Sequence, residues 1–273
     1  MSLTVSATGS DRFMTIARAL LASLPRTFVA AGDGERGRIV LVEGAEGWID
    51  AALEAIAAGV SGLLVVEPHP VAPRRVLELE VTARVAGTSV RLARQWAGDP
   101  AVSALRRASR EDDPTTLVDS TAVASPGVGS AQLLVAQIDL VRSAFGGDVR
   151  IESLVRAGDG YLASGRRRIG ADDAPLLLSG CWSDIGGPRA VARELTFRGR
   201  RSVAVGDGTI ARASVARVGT AQGDLTLPPI NETAYRAALR QLARDLAGAG
   251  SATDDLLSYA DALTVTADWA GLL

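Results

Sequence analysis

The chemistry open to this chain depends on its only histidine and on the absence of lysine. His69 follows Glu67 and Pro68, precedes Pro70, and carries the only imidazole in the 273 residues. Because an imidazole exchanges protons near neutral pH, His69 is the candidate catalytic residue, as a proton donor or acceptor. The alternative is a structural histidine in an exposed loop between prolines. All 29 residues that are lysine or arginine are arginine, which excludes Schiff-base chemistry through lysine and leaves no lysine as a general base.

Aromatic and charged residues in both halves of the sequence could line a ligand pocket. Trp96 and Trp182 could stack on the face of a sugar ring, or could pack at a domain junction instead. Arg94 ends a predicted strand, and open parallel sheets bind ligands at the carboxyl ends of their strands. The candidate substrate-contacting residues of this group are Arg94, Trp96, Tyr161 and Trp182, with Glu43, Glu46, Arg91, Asp184 and Arg189 as further polar candidates.

Composition excludes several other kinds of site. A chain with one cysteine and one histidine cannot supply the Cys and His ligands of a zinc site, and no metal site is predicted. A disulfide within the chain is excluded for the same reason. Cys181 stands beside Trp182 in an apolar segment, which favours a buried, unreactive thiol. The cluster Arg166–Arg168 favours a solvated loop over a phosphate site.

The charge balance argues against nucleic acid and membrane partners. The formal net charge is −2, the isoelectric point is about 5.6, and no long basic run occurs. No apolar stretch reaches the length of about 18 residues that suggests a membrane-spanning helix. Residues 14–31 faintly resemble the apolar part of a signal peptide, but Arg18 and Arg26 interrupt them. We therefore expect a cytoplasmic protein, with a small molecule as its candidate ligand.

Hydrophobic periodicity in the first half predicts alternating strands and helices. Aromatic residues make up only 4% of the sequence, so the core must be filled by aliphatic side chains. Continuous apolar strands separated by helices are typical of a parallel sheet covered on both faces. The predicted strands cover residues 3–8, 27–31, 38–43, 62–67 and 88–94, and the predicted helices cover residues 12–24, 48–58, 73–85 and 100–109.

The charged, proline-containing segment Arg110–Thr116 is the predicted domain boundary, which gives domains of residues 1–112 and 113–273. Beyond it, a helix over residues 130–145 precedes strand-like segments with Gly/Asp-rich turns, which favour antiparallel pairing. These segments cover residues 149–156, 161–164, 175–182, 190–197, 201–205 and 209–218, and helices are predicted over residues 232–247 and from residue 253. The second domain is therefore predicted to be α+β.

Several segments, in the expected order, resemble the glucose–fructose oxidoreductase / inositol dehydrogenase (Gfo/Idh/MocA) family. Ala51–Pro70 resembles the family segment that ends in Glu-Lys-Pro, and Gly129–Gly146 resembles its second-domain helix. Together with matches at Thr88–Arg106, Gly206–Ile210 and Leu227–Gly250, these segments cover most of the chain. The resemblance implies an α/β fold: a shortened Rossmann-like domain with a parallel sheet, then an α+β domain with a mostly antiparallel open sheet.

The resemblance implies a nicotinamide coenzyme, NAD or NADP, but the sequence departs from the family's Gly-x-Gly-x-x-Gly fingerprint. The equivalent positions read Ala7, Gly9 and Arg12. Gly9 still lets backbone amides approach an anion, Arg12 could neutralise phosphate charge, and Asp33 ends the strand where a Rossmann acid contacts ribose. The candidate coenzyme-binding residues are Gly9, Ser10, Arg12, Asp33 and Glu67. Alternatively, Gly9 and Asp33 are ordinary turn residues and no coenzyme binds.

The resemblance also implies catalytic groups that this sequence lacks. The family's lysine falls within Glu67–Pro70, where His69 is one position away. The Asp and His of its second-domain helix correspond to Gln132 and Ala136. Gln132 is a candidate substrate contact because an amide can bind a hydroxyl, but alanine cannot transfer a proton. The link between the second and third strands has only about six residues, fewer than the ~10–12 of a βαβ crossover, so this Rossmann half is shortened.

Three parts of one mechanism are thus changed together, which favours a diverged homologue without hydride-transfer catalysis. Such a chain would act as a ligand-binding or partner subunit, for example in a complex with an active oxidoreductase. The alternative is an active NAD(P)-dependent dehydrogenase of a sugar, polyol or related metabolite that uses substitutes such as His69 with Tyr161. A purely structural dimerisation module is a third interpretation. The resemblance also implies a homo-oligomer that associates through the outer face of the second-domain sheet.

Overall fold

A computed structural model describes residues 3–24, 26–32, 35, 37–108, 113–206, 214–248 and 254–269. Helices and strands alternate in the first part of the chain, and strands dominate the second. The first elements are β1 (Leu3–Thr8), α1 (Asp11–Ala22), β2 (Phe28–Ala30), β3 (Ile39–Glu43), α2 (Trp48–Ala57), β4 (Gly62–Val66), α3 (Pro73–Ala86), β5 (Ser89–Ala93) and α4 (Pro100–Ala108). They are followed by β6 (Thr115–Ala124), α5 (Ser130–Phe145), β7 (Asp148–Ala157), β8 (Gly160–Ile169), β9 (Asp172–Trp182), β10 (Arg189–Thr196), β11 (Arg200–Val205), β12 (Val215–Thr220), β13 (Gly223–Thr226), α6 (Ala234–Leu246) and α7 (Asp254–Ala267).

These elements form two compact units. Unit 1 comprises residues 1–94 and 235–261, and unit 2 comprises residues 95–234 and 262–273. The division after Arg94 differs from the boundary predicted at residue 112, because α4 packs against α5, β11 and β12. Most of α6 and the first half of α7 group with the N-terminal unit. None of the helices within the described residues has the length and apolar character needed to span a bilayer.

Unit 1 is built on a parallel sheet in the order β2-β1-β3-β4-β5. Every residue of β4 is buried, and β3 is buried from Ile39 to Val42. Continuous burial of this kind is what a parallel sheet covered on both faces requires. The prediction of a parallel α/β arrangement for this half of the chain is confirmed.

Helices from both ends of the sequence pack on this sheet. In α1, Phe13, Ala17 and Leu20 recur at helical spacing and join the buried core. Leu239 of α6 is fully buried in the same cluster. The helix α6, which lies far along the sequence from the other elements of unit 1, is therefore part of its core.

The strand order places a topological switch point between β1 and β3. These two strands are neighbours in the sheet. The chain that leaves β1 returns as β2, on the side of β1 away from β3, whereas the chain that leaves β3 returns as β4, on the side of β3 away from β1. The described residues that join β2 to β3 contain no helix, as their small number predicts. Open parallel sheets bind ligands beyond the carboxyl ends of the strands at such a point.

Unit 2 is built on an eight-stranded sheet in the order β13-β12-β11-β10-β6-β9-β8-β7. Each neighbouring pair is antiparallel except β6 and β9, which run parallel. The mostly antiparallel sheet predicted for this part of the chain is confirmed. It is an α+β arrangement, in which α5 contacts β6, β7, β9 and β10.

One face of the unit 2 sheet carries exposed apolar side chains. Val155 of β7 is paired with Leu162 of β8, and Leu162 is paired with Ser179 of β9, so these residues share a face with Leu177. The exposed fractions of Val155, Leu162 and Leu177 are 57%, 52% and 43%. On the opposite face, residues such as Val118 and Ala122 of β6 are fully buried.

Two local predictions are wrong. Arg166–Arg168 lie in β8 rather than in a loop, and Arg167 is only 2% exposed. Its guanidinium donates to Glu194 Oε1 at 2.7 Å and to the Phe145 carbonyl at 2.6 Å, which compensates its burial. Cys181 is exposed rather than buried, because it faces outward near the end of β9.

Candidate functional site

The turn between β1 and α1 is closed by a carboxylate from the neighbouring strand. Ser10 is the N-cap of α1, and its hydroxyl oxygen accepts a hydrogen bond from the Phe13 amide at 3.3 Å. The Ser10 amide donates to Glu43 Oε2 at 2.7 Å, and the Ser10 hydroxyl donates to Glu43 Oε1 at 2.9 Å. Glu43 is the last residue of β3, so its carboxylate lies at the switch point and at the positive end of the α1 dipole.

Gly9 is required at this turn by the closeness of Glu43 and Phe13. A β-carbon on residue 9 would lie 2.7 Å from Cβ of Glu43 and 2.7 Å from Cδ1 of Phe13. The space that a glycine leaves for a phosphate in a dinucleotide fingerprint is therefore filled by the protein itself. Arg12 is exposed on the first turn of α1. Asp33, the predicted ribose-binding acid, lies outside the described residues.

The turn after β4 presents the histidine to solvent on a fixed backbone. The His69 amide donates to the Gly44 carbonyl at 2.6 Å, and the His69 carbonyl accepts from Trp48 Nε1 at 2.9 Å. Its Nδ1 lies 3.2 Å from the Pro70 carbonyl oxygen, and the side chain is exposed. The imidazole is thus accessible beyond the carboxyl end of a central parallel strand.

Glu67 has a strained backbone that two tyrosines help to hold. Its φ of +54° lies in the left-handed region, which is uncommon for a residue other than glycine. The Tyr235 hydroxyl donates to Glu67 Oε1 at 3.0 Å, and the Tyr259 hydroxyl donates to the Pro68 carbonyl at 2.7 Å. Burial raises the pKa of Tyr235, so its hydroxyl stays protonated as a donor. Strain at the end of a central strand marks this turn as a candidate site.

The predicted substrate residue Arg94 is bound to an acid of unit 1. Arg94 is in an ion pair with Asp255 of α7 at 3.4 Å. Nearby in sequence, Arg91 is in an ion pair with Asp245 of α6 at 2.7 Å. These pairs attach the edge strand β5 to the C-terminal helices.

Tyr161, the second predicted proton-transfer residue, is buried in unit 2. Its exposed fraction is 3%, and its hydroxyl donates to Oε1 of Gln137, which is fully buried in α5. Gln137 Nε2 donates to the carbonyl oxygens of Ser120 and Ser179 at 3.2 and 3.0 Å. Burial raises the pKa of Tyr161 well above its ordinary value, so the hydroxyl is not an acid near neutral pH. The network joins α5 to three strands.

The other predicted substrate residues of unit 2 differ in accessibility. Trp182 is half-buried, and its Nε1 donates at 2.7 Å to the Val128 carbonyl, in the segment that enters α5. Gln132 is half-buried in the first turn of α5, and Ala136 is half-buried one turn later. Trp96 is 6% exposed and belongs to the interior.

The predicted site residues therefore fall into separate groups. In unit 1, Gly9 and Ser10 lie together, and Glu67 and His69 share the turn after β4. Unit 2 holds Trp96, Gln132, Tyr161 and Trp182. Tyr235 and Tyr259 were not among the predicted site residues, because each is more than 150 residues away in the chain from the turn after β4 that it binds. Glu43 was predicted only as a general polar candidate, since nothing in the local pattern shows that its carboxylate binds Ser10.

Comparison with protein-family models gives no match, and comparison with curated protein sequences gives none either. Solved structures match along nearly the whole chain. A 3-ketoreductase from Actinomadura kijaniata, KijD10, in complex with TDP-benzene and NADP, is 15% identical with a TM-score of 0.74, over 98% of this chain and 96% of that chain. The UDP-N-acetylglucosamine 3-dehydrogenase GnnA from Acidithiobacillus ferrooxidans is 15% identical with a TM-score of 0.74, over 98% and 96% of the two chains.

A third match is an oxidoreductase from Agrobacterium radiobacter in complex with NAD+, L-tartaric acid and magnesium. It is 10% identical with a TM-score of 0.71, over 98% of this chain and 95% of that chain. At these identities the likeness concerns the fold. The predicted Gfo/Idh/MocA-type fold, with a parallel N-terminal sheet and a mostly antiparallel C-terminal sheet, is confirmed.

The residues of the β1–α1 turn do not fit the dinucleotide that the family resemblance of the sequence implies. A pyrophosphate at the N-terminus of α1 needs free backbone amides and no negative charge beside them. Here the Ser10 amide and hydroxyl both donate to the Glu43 carboxylate, and Gly9 is packed against the same side chain. A phosphate at this position would meet an acid instead of hydrogen-bond donors.

Proposed function

We propose that this chain is a diverged oxidoreductase homologue that binds a small ligand or a partner protein without catalysing hydride transfer. The proposal depends on which residues occupy the positions where the family resemblance implies proton-transfer groups. Ala136 stands at the expected histidine, Gln132 at the expected aspartate, and no lysine is available. Tyr161, a conceivable substitute, is buried with its hydroxyl bound to Gln137.

An assay for coenzyme turnover tests the loss of catalysis. The purified full chain would be mixed with NAD(H) or NADP(H) and a panel of sugars, polyols and their keto forms, and NADH or NADPH absorbance would be followed. We expect no turnover above that of a heat-inactivated sample. Thermal unfolding with the same panel, without coenzyme, would identify a bound ligand, because a ligand that binds only the native state raises the melting temperature.

An active NAD(P)-dependent dehydrogenase is the second candidate function. It is favoured by the exposed imidazole of His69 at the carboxyl end of β4, and by similar structures that contain NADP or NAD+. In this alternative the coenzyme is NAD or NADP, Glu43 moves away from Ser10, and His69 transfers the proton. Replacing His69 by alanine would then reduce turnover by about 10²–10⁴-fold, the usual contribution of general acid–base catalysis. Under the first proposal the same substitution leaves ligand binding unchanged.

The proposal includes a homo-oligomer, or a subunit of an oxidoreductase complex, in the cytoplasm. The support is the outer face of the unit 2 sheet, which we call the apolar face and define by Val155, Leu162 and Leu177. Large exposed apolar side chains that share one face are typical of protein–protein interfaces. Light scattering of the purified chain would give its mass in solution, and cell fractionation would test its location.

A further inference from the structure

The switch point of unit 1 is the place where the fold would normally seat a negatively charged ligand group. The carboxyl ends of β1 and β3 meet there, and the N-terminus of α1 points its amides toward the opening. Glu43 of β3 supplies a negative group of its own at this place.

The hydrogen bonds of Glu43 reproduce those of a bound anion. One carboxylate oxygen accepts from the Ser10 amide at 2.7 Å and the other accepts from the Ser10 hydroxyl at 2.9 Å. Such charge-assisted bonds to a helix N-terminus are the contacts that a phosphate makes in a dinucleotide site. An incoming phosphate would have to displace both bonds and would be repelled by the carboxylate.

The contact between Glu43 and the turn requires glycine at residue 9 and uses the amide and hydroxyl of the serine at residue 10. A β-carbon at residue 9 would be 2.7 Å from Cβ of Glu43, so only glycine lets this side chain approach the turn so closely. Ser10 is both the N-cap of α1 and the donor of two bonds to Glu43. The features that look like remnants of a phosphate loop are therefore the binding partners of Glu43.

We infer that Glu43 is a built-in substitute for the coenzyme pyrophosphate and that it excludes dinucleotides from unit 1. The inference goes beyond the proposed function, because a chain without hydride transfer could still bind a coenzyme. A ligand of this protein must then carry no phosphate at the N-terminus of α1.

Removing the carboxylate tests the inference directly. Binding of inorganic pyrophosphate, NADH and NADPH would be measured by calorimetry for the wild-type chain and for Glu43→Ala and Glu43→Gln. Glu43→Gln keeps the side-chain volume and serves if the alanine variant does not fold, as judged by circular dichroism. Glu54→Ala is the matched control, since it removes the same charge from an exposed position of α2.

We expect pyrophosphate and the dinucleotides to bind the Glu43 variants at least about tenfold more tightly than they bind the wild-type and Glu54→Ala chains. The reason is that the anion no longer has to displace the two charge-assisted hydrogen bonds of Glu43 or approach its carboxylate. Two results would overturn the inference. If the wild type binds NADH tightly and Glu43→Ala weakens binding, Glu43 is a coenzyme ligand. If none of the chains binds any of these anions, Glu43 is not what excludes them. Tight coenzyme binding alone would overturn this inference only. The proposed function fails if hydride transfer between the coenzyme and a substrate is also observed.

Discussion

Replacing Tyr161 by phenylalanine distinguishes a structural role for this residue from a catalytic one. Tyr161 is 3% exposed, and its hydroxyl donates to Oε1 of the fully buried Gln137. In Tyr161→Phe the ring still fills its place, but the amide oxygen loses this donor in a buried position. Leaving a buried acceptor without its partner lowers the free energy of unfolding by about 1–3 kcal/mol.

The loss is limited because the rest of the network survives. Gln137 Nε2 keeps its bonds to the carbonyl oxygens of Ser120 and Ser179. The expected effect is therefore smaller than the ~3–5 kcal/mol that follows removal of a whole buried aromatic side chain. Because burial raises the pKa of Tyr161 far above neutrality, the hydroxyl keeps one protonation state across the neutral range. The stability difference should then be the same at mildly acidic and mildly alkaline pH.

Urea denaturation followed by tryptophan fluorescence measures the difference, since the chain has four tryptophans and none is altered. The control is Thr116→Val, which removes an exposed hydroxyl that donates to the Leu195 carbonyl at 3.1 Å and should change stability by less than about 0.5 kcal/mol. A Tyr161→Phe chain as stable as the wild type would show that the hydrogen bond from Tyr161 to Gln137 does not stabilise unit 2. A variant with unchanged stability but with a measurable enzymatic activity abolished would show that Tyr161 acts on substrate.

Three further predictions concern the sheet and the turn. Glu194→Ala should lower the free energy of unfolding in urea by about 3–5 kcal/mol, because it leaves the buried Arg167 guanidinium without its carboxylate. Asp224→Ala, which breaks the exposed ion pair with Arg200, should change the free energy of unfolding little. If the chain forms the proposed oligomer through the apolar face, Leu177→Arg should give a monomer in light scattering, because it places a charge within that face. Phe197→Arg, at an exposed position of the strand connection after β10, should leave the mass unchanged. Equal masses for the wild type, Leu177→Arg and Phe197→Arg would contradict association through this face. Gly9→Ala should lower the melting temperature, because the added β-carbon overpacks the turn against Glu43 and Phe13 at a cost of about 1–3 kcal/mol. A Gly9→Ala chain with the melting temperature of the wild type would contradict the packing described for the turn.

Local patterns were sufficient to predict the order and type of most elements. β3 and β4 are nearly continuous apolar runs, and α1, α2 and α3 carry apolar residues at helical spacing, so each of these elements is visible in a short window. β6 is harder to detect, since it follows a charged segment and its inward positions include Ser120 and Ala122 rather than large apolar residues. The polarity of Arg166–Arg168 indicated a loop, because the sequence does not show that Glu194 lies opposite Arg167.

In the candidate site, too, local patterns predicted the elements but not the contacts between distant residues. The sequence predicted that Gly9 and Ser10 form a turn at the end of a strand, and it identified the exposed histidine after β4. It could not predict that Glu43 binds Ser10, because 33 residues separate them and the contact depends on strand order. The pairing of Tyr235 with Glu67 spans 168 residues and depends on α6 packing in unit 1. Such long-range contacts are set by the tertiary fold and leave no periodic signal.

Titration of NADH into the wild-type full chain, followed by addition of the sugar and polyol panel, asks whether this protein binds a coenzyme and transfers hydride. We expect no saturable binding of NADH and no change in its absorbance with any member of the panel. Tight binding of NADH together with substrate-dependent oxidation, abolished in His69→Ala, would contradict this expectation.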